Sequence, residues 1–378
     1  MGEGAIESKK DEGGKAQRPK PVKSAKPKAS KPGVSAEARH MGREFAVGIG
    51  LGVLLVFLML WSMTIGAYDL TIPDALQAIG GALGLCDPPE NTKVTAVLLV
   101  IRLPRVLLTA IVGAALAVSG AAYQGLFKNP MVAPDILGVS SGAGTGAALA
   151  ILLGFGSIGV QVTAFAFGLG AVLIVLAIAR AFGRNGNSLV IMILAGTVIS
   201  SVFSAMTSLA KYVADTDDKL PQITYWLMGS FARAGAMRNV AIMGVVLLVA
   251  GGIMMAMRWR INVMAFGEEE ARTMGVNVRA TRNVLILCST MLTSVAVCLC
   301  GTIGWVGLII PHIMRLATGP NYKSLIPLSM LGGACFMVVV DDLARTLVSA
   351  ELPVGILTSL IGAPLFIYML VRGRKEWL

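Results

Sequence analysis

Charge and histidine are both scarce in this chain. Only 14% of its 378 residues are Asp, Glu, Lys or Arg, where an ordinary soluble domain carries about 25%. Histidine occurs at His40 and His312 alone, too few imidazoles for a histidine-built metal centre; His312, in an apolar run, reads as a hydrogen-bonded packing residue. The five cysteines, Cys86, Cys288, Cys298, Cys300 and Cys335, form no CxxC pair. Four lie in apolar runs as small hydrophobes, and Cys86 sits in a polar loop. Neither HExxH nor a G-x-S-x-G nucleophile motif is legible, so an intramembrane enzyme is not indicated. No G-x-x-x-x-G-K-[ST] phosphate loop occurs either; if ATP drives this protein, the nucleotide site belongs to another subunit.

What is abundant is apolar and small. Hydrophobic residues make up 55% of the chain, 44 residues are glycine, and the mean hydropathy is +0.75. These values predict an all-α polytopic membrane protein, a compact bundle whose small residues let helix backbones approach closely. Apolar runs long enough to span a bilayer fall at 45–66, 98–120, 136–154, 160–182, 188–210, 238–257, 283–302, 303–318, 325–347 and 353–371, about ten in all. The run at 303–318 is short and holds Pro311, His312 and Arg315, and the last two runs are separated only by "SAELP".

Residues 1–43 differ from the rest. They hold eleven Lys/Arg, five Asp/Glu, four prolines and few large apolar residues, a composition that predicts a disordered basic tail resting on anionic inner-leaflet lipid. The run that follows is too long for a signal peptide. Beyond the tail, an N-in, C-in topology places Lys128, Arg180, Arg184, Arg315, Lys323, the arginines of 258–282 and the basic C-terminus on the cytoplasmic side. Fewer cations fall outside, as the positive-inside rule requires. Arg102 and Arg105 are among those few, at the outer edge of the second span, and Arg345 joins them from the ninth. Two outer segments, 68–84 and 220–235, run apolar at helical spacing and predict short amphipathic helices on that face. Asp341 and Asp342 lie nearby; Asp342 either pairs with Arg345 at i, i+3 or belongs to a proton relay.

The longest hydrophilic connection is 258–282, "RWRINVMAFGEEEARTMGVNVRATR", read as two short helices around a glycine turn. Its "GEEEARTMGV" resembles the cytoplasmic coupling loop of FecCD-type permeases, which import iron-siderophores, haem and cobalamin by ATP-binding-cassette transport. The resemblance extends, in family order, to "RLPRVLLTAIVGAALAVSGAAYQGLFKNPMVAPDILGVSSGAG" (102–144), "GTIGWVGLIIPHIMRL" (301–316) and "DDLARTLVSAELPVGILTSLIGAPLFIYML" (341–370).

The resemblance implies a ten-helix permease of the cytoplasmic (inner) membrane, residues 44–378, that pairs with a second copy or a close paralogue around a central path. Two copies of a separate ATPase dock beneath and an extracytoplasmic substrate-binding protein docks above; no cofactor and no nucleic acid are implied. Carried over residue by residue, it makes Gly267, Glu268, Glu269, Ala271, Met274 and Gly275 the ATPase-coupling residues. Glu268 and Glu269 would meet basic groups there, and Ala271 and Met274 would pack. Arg102, Arg105 and Arg345 would face acids on the binding protein, against the alternatives of snorkelling to lipid or internal pairing. Asn129, Asn187 and Ser188 would sit at the inner gate. Thr197 and Ser200, with Ser201, Ser204, Thr358 and Ser359, offer uncharged hydroxyls to the path or to interhelical hydrogen bonds. Two other readings remain at this stage. A secondary transporter would need ionisable groups at mid-membrane, and a permease for free metal ions would need ligands along its path.

Overall fold

The computed structural model describes residues 34–373, except 67, 69, 88, 90, 184–187 and 349. The regular elements are helices: α1 Val34–Thr64, α2 Ile72–Ala82, α3 Thr92–Leu126, α4 Val139–Leu152, α5 Ser157–Phe182, α6 Ser188–Val213, α7 Lys219–Leu227, α8 Met237–Ala256, α9 Arg258–Phe266, α10 Glu268–Thr273, α11 Val278–Cys300, α12 Val306–Thr318, α13 Tyr322–Thr346 and α14 Val354–Gly373. Among the described residues seven helices, α1 from Met41, α3, α5, α6 from Leu189, α8, α11 and α13, are long and apolar enough to cross a membrane. Three shorter apolar helices, α4, α12 and the Val354–Met369 part of α14, occupy the other expected spans.

Helix α1 begins at Val34, inside the stretch read as tail, because Ser35 to Arg39 are helix-tolerant residues that extend the following span. The remaining tail lies outside the described residues.

Helix α3 is the axis of the bundle, buried almost continuously from Pro104 to Leu126, and α13, α11, α12 and α8 pack around it. Glycine permits the closest of these crossings. A Cβ on Gly120 would lie 1.7 Å from the carbonyl oxygen of Gly307, so α3 and α12 meet backbone to backbone. By contrast, α1 presents Phe45, Ile49, Val53, Val56 and Phe57 outward, an apolar face of the kind that meets lipid or another protein. The amphipathic outer helices are present as α2 and α7. Helix α2 opens on a capping box in which Thr71 and Asp74 satisfy each other's backbone N–H groups, with Pro73 in the first turn.

Helix α3 is not uniform. Residues Val97–Arg102 form a π-helical turn just before Pro104. Proline has no N–H to continue the ladder, and the wide turn absorbs that loss. Arg102 ends this irregular turn and Arg105 follows in the first α-helical turn beyond it, both on the buried side of the helix.

Candidate functional site

The three short helices share one feature: each starts at the same cavity. Before α4 the chain runs irregularly through a 3₁₀ turn at Pro134–Leu137, and before α12 it runs irregularly through 301–305. Irregular backbone is tolerated inside a membrane bundle only where it is buried in protein or lines a cavity. Here it lines one of about 520 Å³, with Asp135, Ser140, Met228, Thr302, Trp305 and Ser359 in its wall. The backbone around it is satisfied. Ser230 N–H donates to Cys300 O (2.7 Å), Val354 N–H to Gly229 O (3.0 Å) and Gly355 N–H to Met228 O (3.1 Å), while the Thr302 hydroxyl donates to Leu227 O. The ends of α7 and α11 and the start of α14 are thereby fastened together above the cavity.

Asp135 and Trp305 escaped the sequence reading. Asp135 is the one charged residue lining the cavity, and its Oδ1 accepts from Ser140 N–H (2.7 Å) at the start of α4. Trp305 holds φ 70°, a sparsely populated region for a bulky residue, and its ring meets Phe366 edge-on at 6.1 Å. Residues 138–142, "GVSSG", do spell G-x-S-x-G, contrary to the reading that such a motif is not legible. Ser140 instead begins a helix, and no histidine lines its cavity.

At the end of the bundle where α2 and α7 lie, the three arginines are held inside the chain. Arg105 is 9% exposed; its Nε and Nη2 donate to Asp341 Oδ2 (3.0 Å) and Oδ1 (2.9 Å), and its Nη1 and Nη2 to Glu351 Oε1 (2.8 Å) and Oε2 (3.0 Å). Arg345 Nε lies 3.3 Å from Asp341 Oδ2, and its Nη2 contacts Asp342 and Ser62 Oγ (2.6 Å). Arg102 is 5% exposed and donates to Met63 O (2.7 Å) and Tyr68 O (2.6 Å). The expectation that these guanidinium groups present themselves to a partner is therefore corrected: they tie α1, α3 and α13 to one another. Burial explains the change, since a desolvated charge must find its partner locally, and bidentate carboxylates suit guanidinium. Of the alternatives, Asp342 pairs with Arg345. Glu351, which the sequence reading did not single out, is the exposed end of the network, its side chain 43% accessible.

At the opposite end of the bundle the segment 258–282 folds as expected, into α9, a glycine turn and α10. Gly267 at φ 156°, ψ 157° adopts a conformation nearly confined to glycine, and a Cβ there would lie 1.7 Å from Glu270 Oε2. Gly275 at φ 79° closes α10, its N–H donating to Arg272 O (3.0 Å) while Val276 N–H donates to Ala271 O (2.9 Å). The individual roles shift. Ala271 is fully buried and packs in the cluster that holds Val263, Met264, Val276 and Val278 with Tyr123 and Phe127 of the bundle. Glu268 is engaged by Arg282 and lies 3.9 Å from Arg272, so its expected contact with a partner's base is replaced by an internal one. Glu269, Met274 and Phe266 remain exposed, Phe266 at 76%. Asn262 fixes the segment to the bundle, donating to Asn321 Oδ1 (2.7 Å) and accepting from Tyr322 N–H (2.7 Å).

The remaining residues divide. Asn129 is exposed and its Oδ1 accepts from Met131 N–H (2.9 Å), which shapes the turn after α3. Asn187 lies outside the described residues, and Ser188 is the first residue of α6. The α6 and α14 hydroxyls bond back to their own helices: Thr197 to Leu194 O (2.8 Å), Ser201 to Thr197 O (2.9 Å) and Ser359 to Gly355 O (2.8 Å). Such back-bonding satisfies a hydroxyl without a neighbouring helix. Ser200 Oγ lies where a Cβ on Gly138 would meet it, at 2.8 Å. His312 is half-buried and makes no hydrogen bond among the described residues, against the hydrogen-bonded role expected of it.

Comparison with known proteins agrees with this arrangement. The molybdate import permease MolB of Haemophilus influenzae is 42% identical over 330 residues, covering 86% of this chain and 96% of its own length. The hemin transport permease HmuU of Yersinia pestis is 37% identical over 329 residues, covering 86% and 95%. A solved inward-facing structure of an ABC transporter assigned to the metal-chelate type superposes with a TM-score of 0.77 at 40% identity, covering 86% of this chain and 99% of that one. With the FecCD transport family pattern matching residues 54–372, the chain belongs to the FecCD family: it is a multi-pass membrane permease subunit of an ATP-binding-cassette transporter, without ATPase activity of its own.

Proposed function

We propose that this chain carries a metal chelate inward across the cytoplasmic membrane, as one of two identical permease subunits. A ferric siderophore, haem or cobalamin is the cargo class. The observation that carries the reading is the cavity where α4, α12 and α14 begin. Discontinuous helices mark substrate paths in transporters, and this cavity offers hydroxyls, backbone carbonyls and one carboxylate, Asp135, with no cation in its wall. A small oxyanion of the molybdate type would find no positive partner among the described residues of this wall; a large chelate would meet its hydroxyls and carbonyls instead.

In this reading residues 1–43 form a cytoplasmic basic arm and 44–378 the permease domain. A second copy completes the path along the exposed faces of α6 and α14, where Thr197, Ser201 and Ser359 lie. Asn129, Asn187 and Ser188 form the inner gate. Two ATPase subunits seat against 258–282, with Phe266, Met274 and Glu269 as the exposed contacts and Gly267, Glu268, Ala271 and Gly275 holding their geometry. The substrate-binding protein docks on the outer face carrying α2 and α7, where Arg102, Arg105 and Arg345 keep the helix ends in register beneath it. The test is uptake into proteoliposomes holding this chain, its ATPase and its binding protein. Radiolabelled ferric siderophore, haem, cobalamin and molybdate are offered in parallel. ATP-dependent accumulation of one of the chelates is expected; accumulation of molybdate alone would overturn the cargo assignment.

A further inference from the structure

Four arginines surround a second cavity, at the cytoplasmic end of the bundle. Arg180 near the end of α5, Arg272 on α10, and Arg279 and Arg282 on the first turns of α11 line a space of about 490 Å³. Among the described residues Glu268 is the one acid in its wall. It is taken up by Arg282 and lies 3.9 Å from Arg272. Arg180 and Arg279 make no hydrogen bond or ion pair among the described residues. Among the described residues the cavity therefore gathers four positive charges against one negative charge, and a cleft lined by one sign of charge concentrates positive potential.

We propose that this cavity binds a phosphate-class anion. Guanidinium forks match the oxygens of a phosphate group, and several arginines around one concavity recognise it better than scattered ammonium groups would. The position suits either of two sources with the same chemistry. A phospholipid phosphodiester could enter from the inner leaflet, since basic pockets between helices on this side suit anionic head groups and the wall includes apolar Leu176, Met192 and Val278. Inorganic phosphate could enter from the cytoplasm. Either occupant would bridge α5, α10 and α11, and so brace the segment proposed to meet the ATPase. The proposal does not depend on which cargo is carried.

The experiment uses the full-length chain purified in a zwitterionic detergent and reads the thermal unfolding midpoint at constant ionic strength. Inorganic phosphate is compared with chloride, and mixed micelles containing phosphatidylglycerol with micelles containing phosphatidylcholine. Wild type should be stabilised by at least one of the two phosphate probes, and Arg180→Gln/Arg279→Gln should lower the apparent affinity at least tenfold. Both replaced side chains are exposed, so the variant keeps its fold. Arg260→Gln/Lys128→Gln, which removes two exposed charges on the same side but outside the cavity, should respond like wild type. A response to inorganic phosphate identifies a soluble anion; a response to phosphatidylglycerol alone identifies a lipid head group. No response to either probe would overturn the proposal, as would an equal response in the Arg180/Arg279 variant or an equal loss in the Arg260/Lys128 variant.

Discussion

Arg105 and Asp341 are 236 positions apart in sequence and share a two-pronged ion pair, with Arg105 Nη2 2.9 Å from Asp341 Oδ1 and Nε 3.0 Å from Oδ2. Asp341 is 1% exposed. Removing one partner of such a pair leaves a buried charge without compensation, at a cost of about 3–5 kcal/mol. Asp341→Ala should therefore lower the unfolding midpoint in detergent sharply. Glu351→Ala, at the solvent end of the same network, should cost roughly 1 kcal/mol or less. Equal losses in the two variants would show that the network is not organised from a buried centre outward. Reversing Arg102 and Arg105 to Glu would set new carboxylates against Asp341 and against the Met63 carbonyl, and is expected to abolish folded yield. Charge reversal at these positions thus reports on assembly before it reports on docking.

The α3–α12 crossing sets a steric limit. Gly120→Ala places a methyl group where the Gly307 carbonyl now lies, so the helices must separate, and overpacking of this kind typically costs about 1–3 kcal/mol. Gly170→Ala, on α5 with open space around the added carbon, is the matched control. Thermal unfolding of the two purified variants checks the difference, and equal stability would mean that the crossing is looser than it stands.

The outer cap of α2 should be acid-sensitive. Hydrogen bonds from the Thr71 hydroxyl and then from its backbone N–H hold the Asp74 carboxylate below its usual range. A lowered folded-state value means that the stabilisation is present above the ordinary carboxylate range and is lost as pH falls through the lowered value. Amide exchange at the start of α2, corrected for the intrinsic rate at each pH, should be protected near neutrality and lose protection below about pH 4. Asp74→Ala should show the unprotected behaviour at every pH.

Asp135 provides a direct probe of the path. Asp135→Asn keeps an oxygen to accept from Ser140 N–H and removes the charge, so α4 should still start in place. Uptake of the accepted chelate should change several-fold while thermal stability changes by no more than about 0.5 kcal/mol. Unchanged uptake kinetics would place the cargo elsewhere.

Much of the fold was legible in the residues because hydrophobic runs and helix caps are local signals. The apolar spacing of 68–84 announced α2, and Gly267 and Gly275 announced the turns that bound α10. The fate of Arg102, Arg105 and Arg345 was not legible, because their partners lie on distant segments and a charge at a span end looks the same whether it faces solvent or a buried carboxylate. For the same reason Glu268 read as an external contact until Arg282 was seen beside it. The brevity of α12 showed in its sequence, where Pro311 and Arg315 interrupt the run. That of α4 did not, since residues 136–154 carry no charge to interrupt the run and the turn at Gly138 leaves no mark in the hydropathy. The hydroxyls of α6 pointed to polarity correctly but not to its use, because a serine bonding back to its own helix has the same spacing as one facing a path.

The central claim is that an ATPase on a separate chain grips the exposed face of 258–282. The most direct measurement is to purify this chain with its native neighbours in mild detergent and identify by mass spectrometry what remains bound. A stoichiometric subunit carrying a phosphate-loop motif is expected, and Phe266→Ala/Met274→Asp should reduce its retention at least about tenfold without altering the thermal stability of the permease. Recovery of the permease alone, under conditions where other ABC complexes survive, or full retention of the ATPase by the variant, would contradict it.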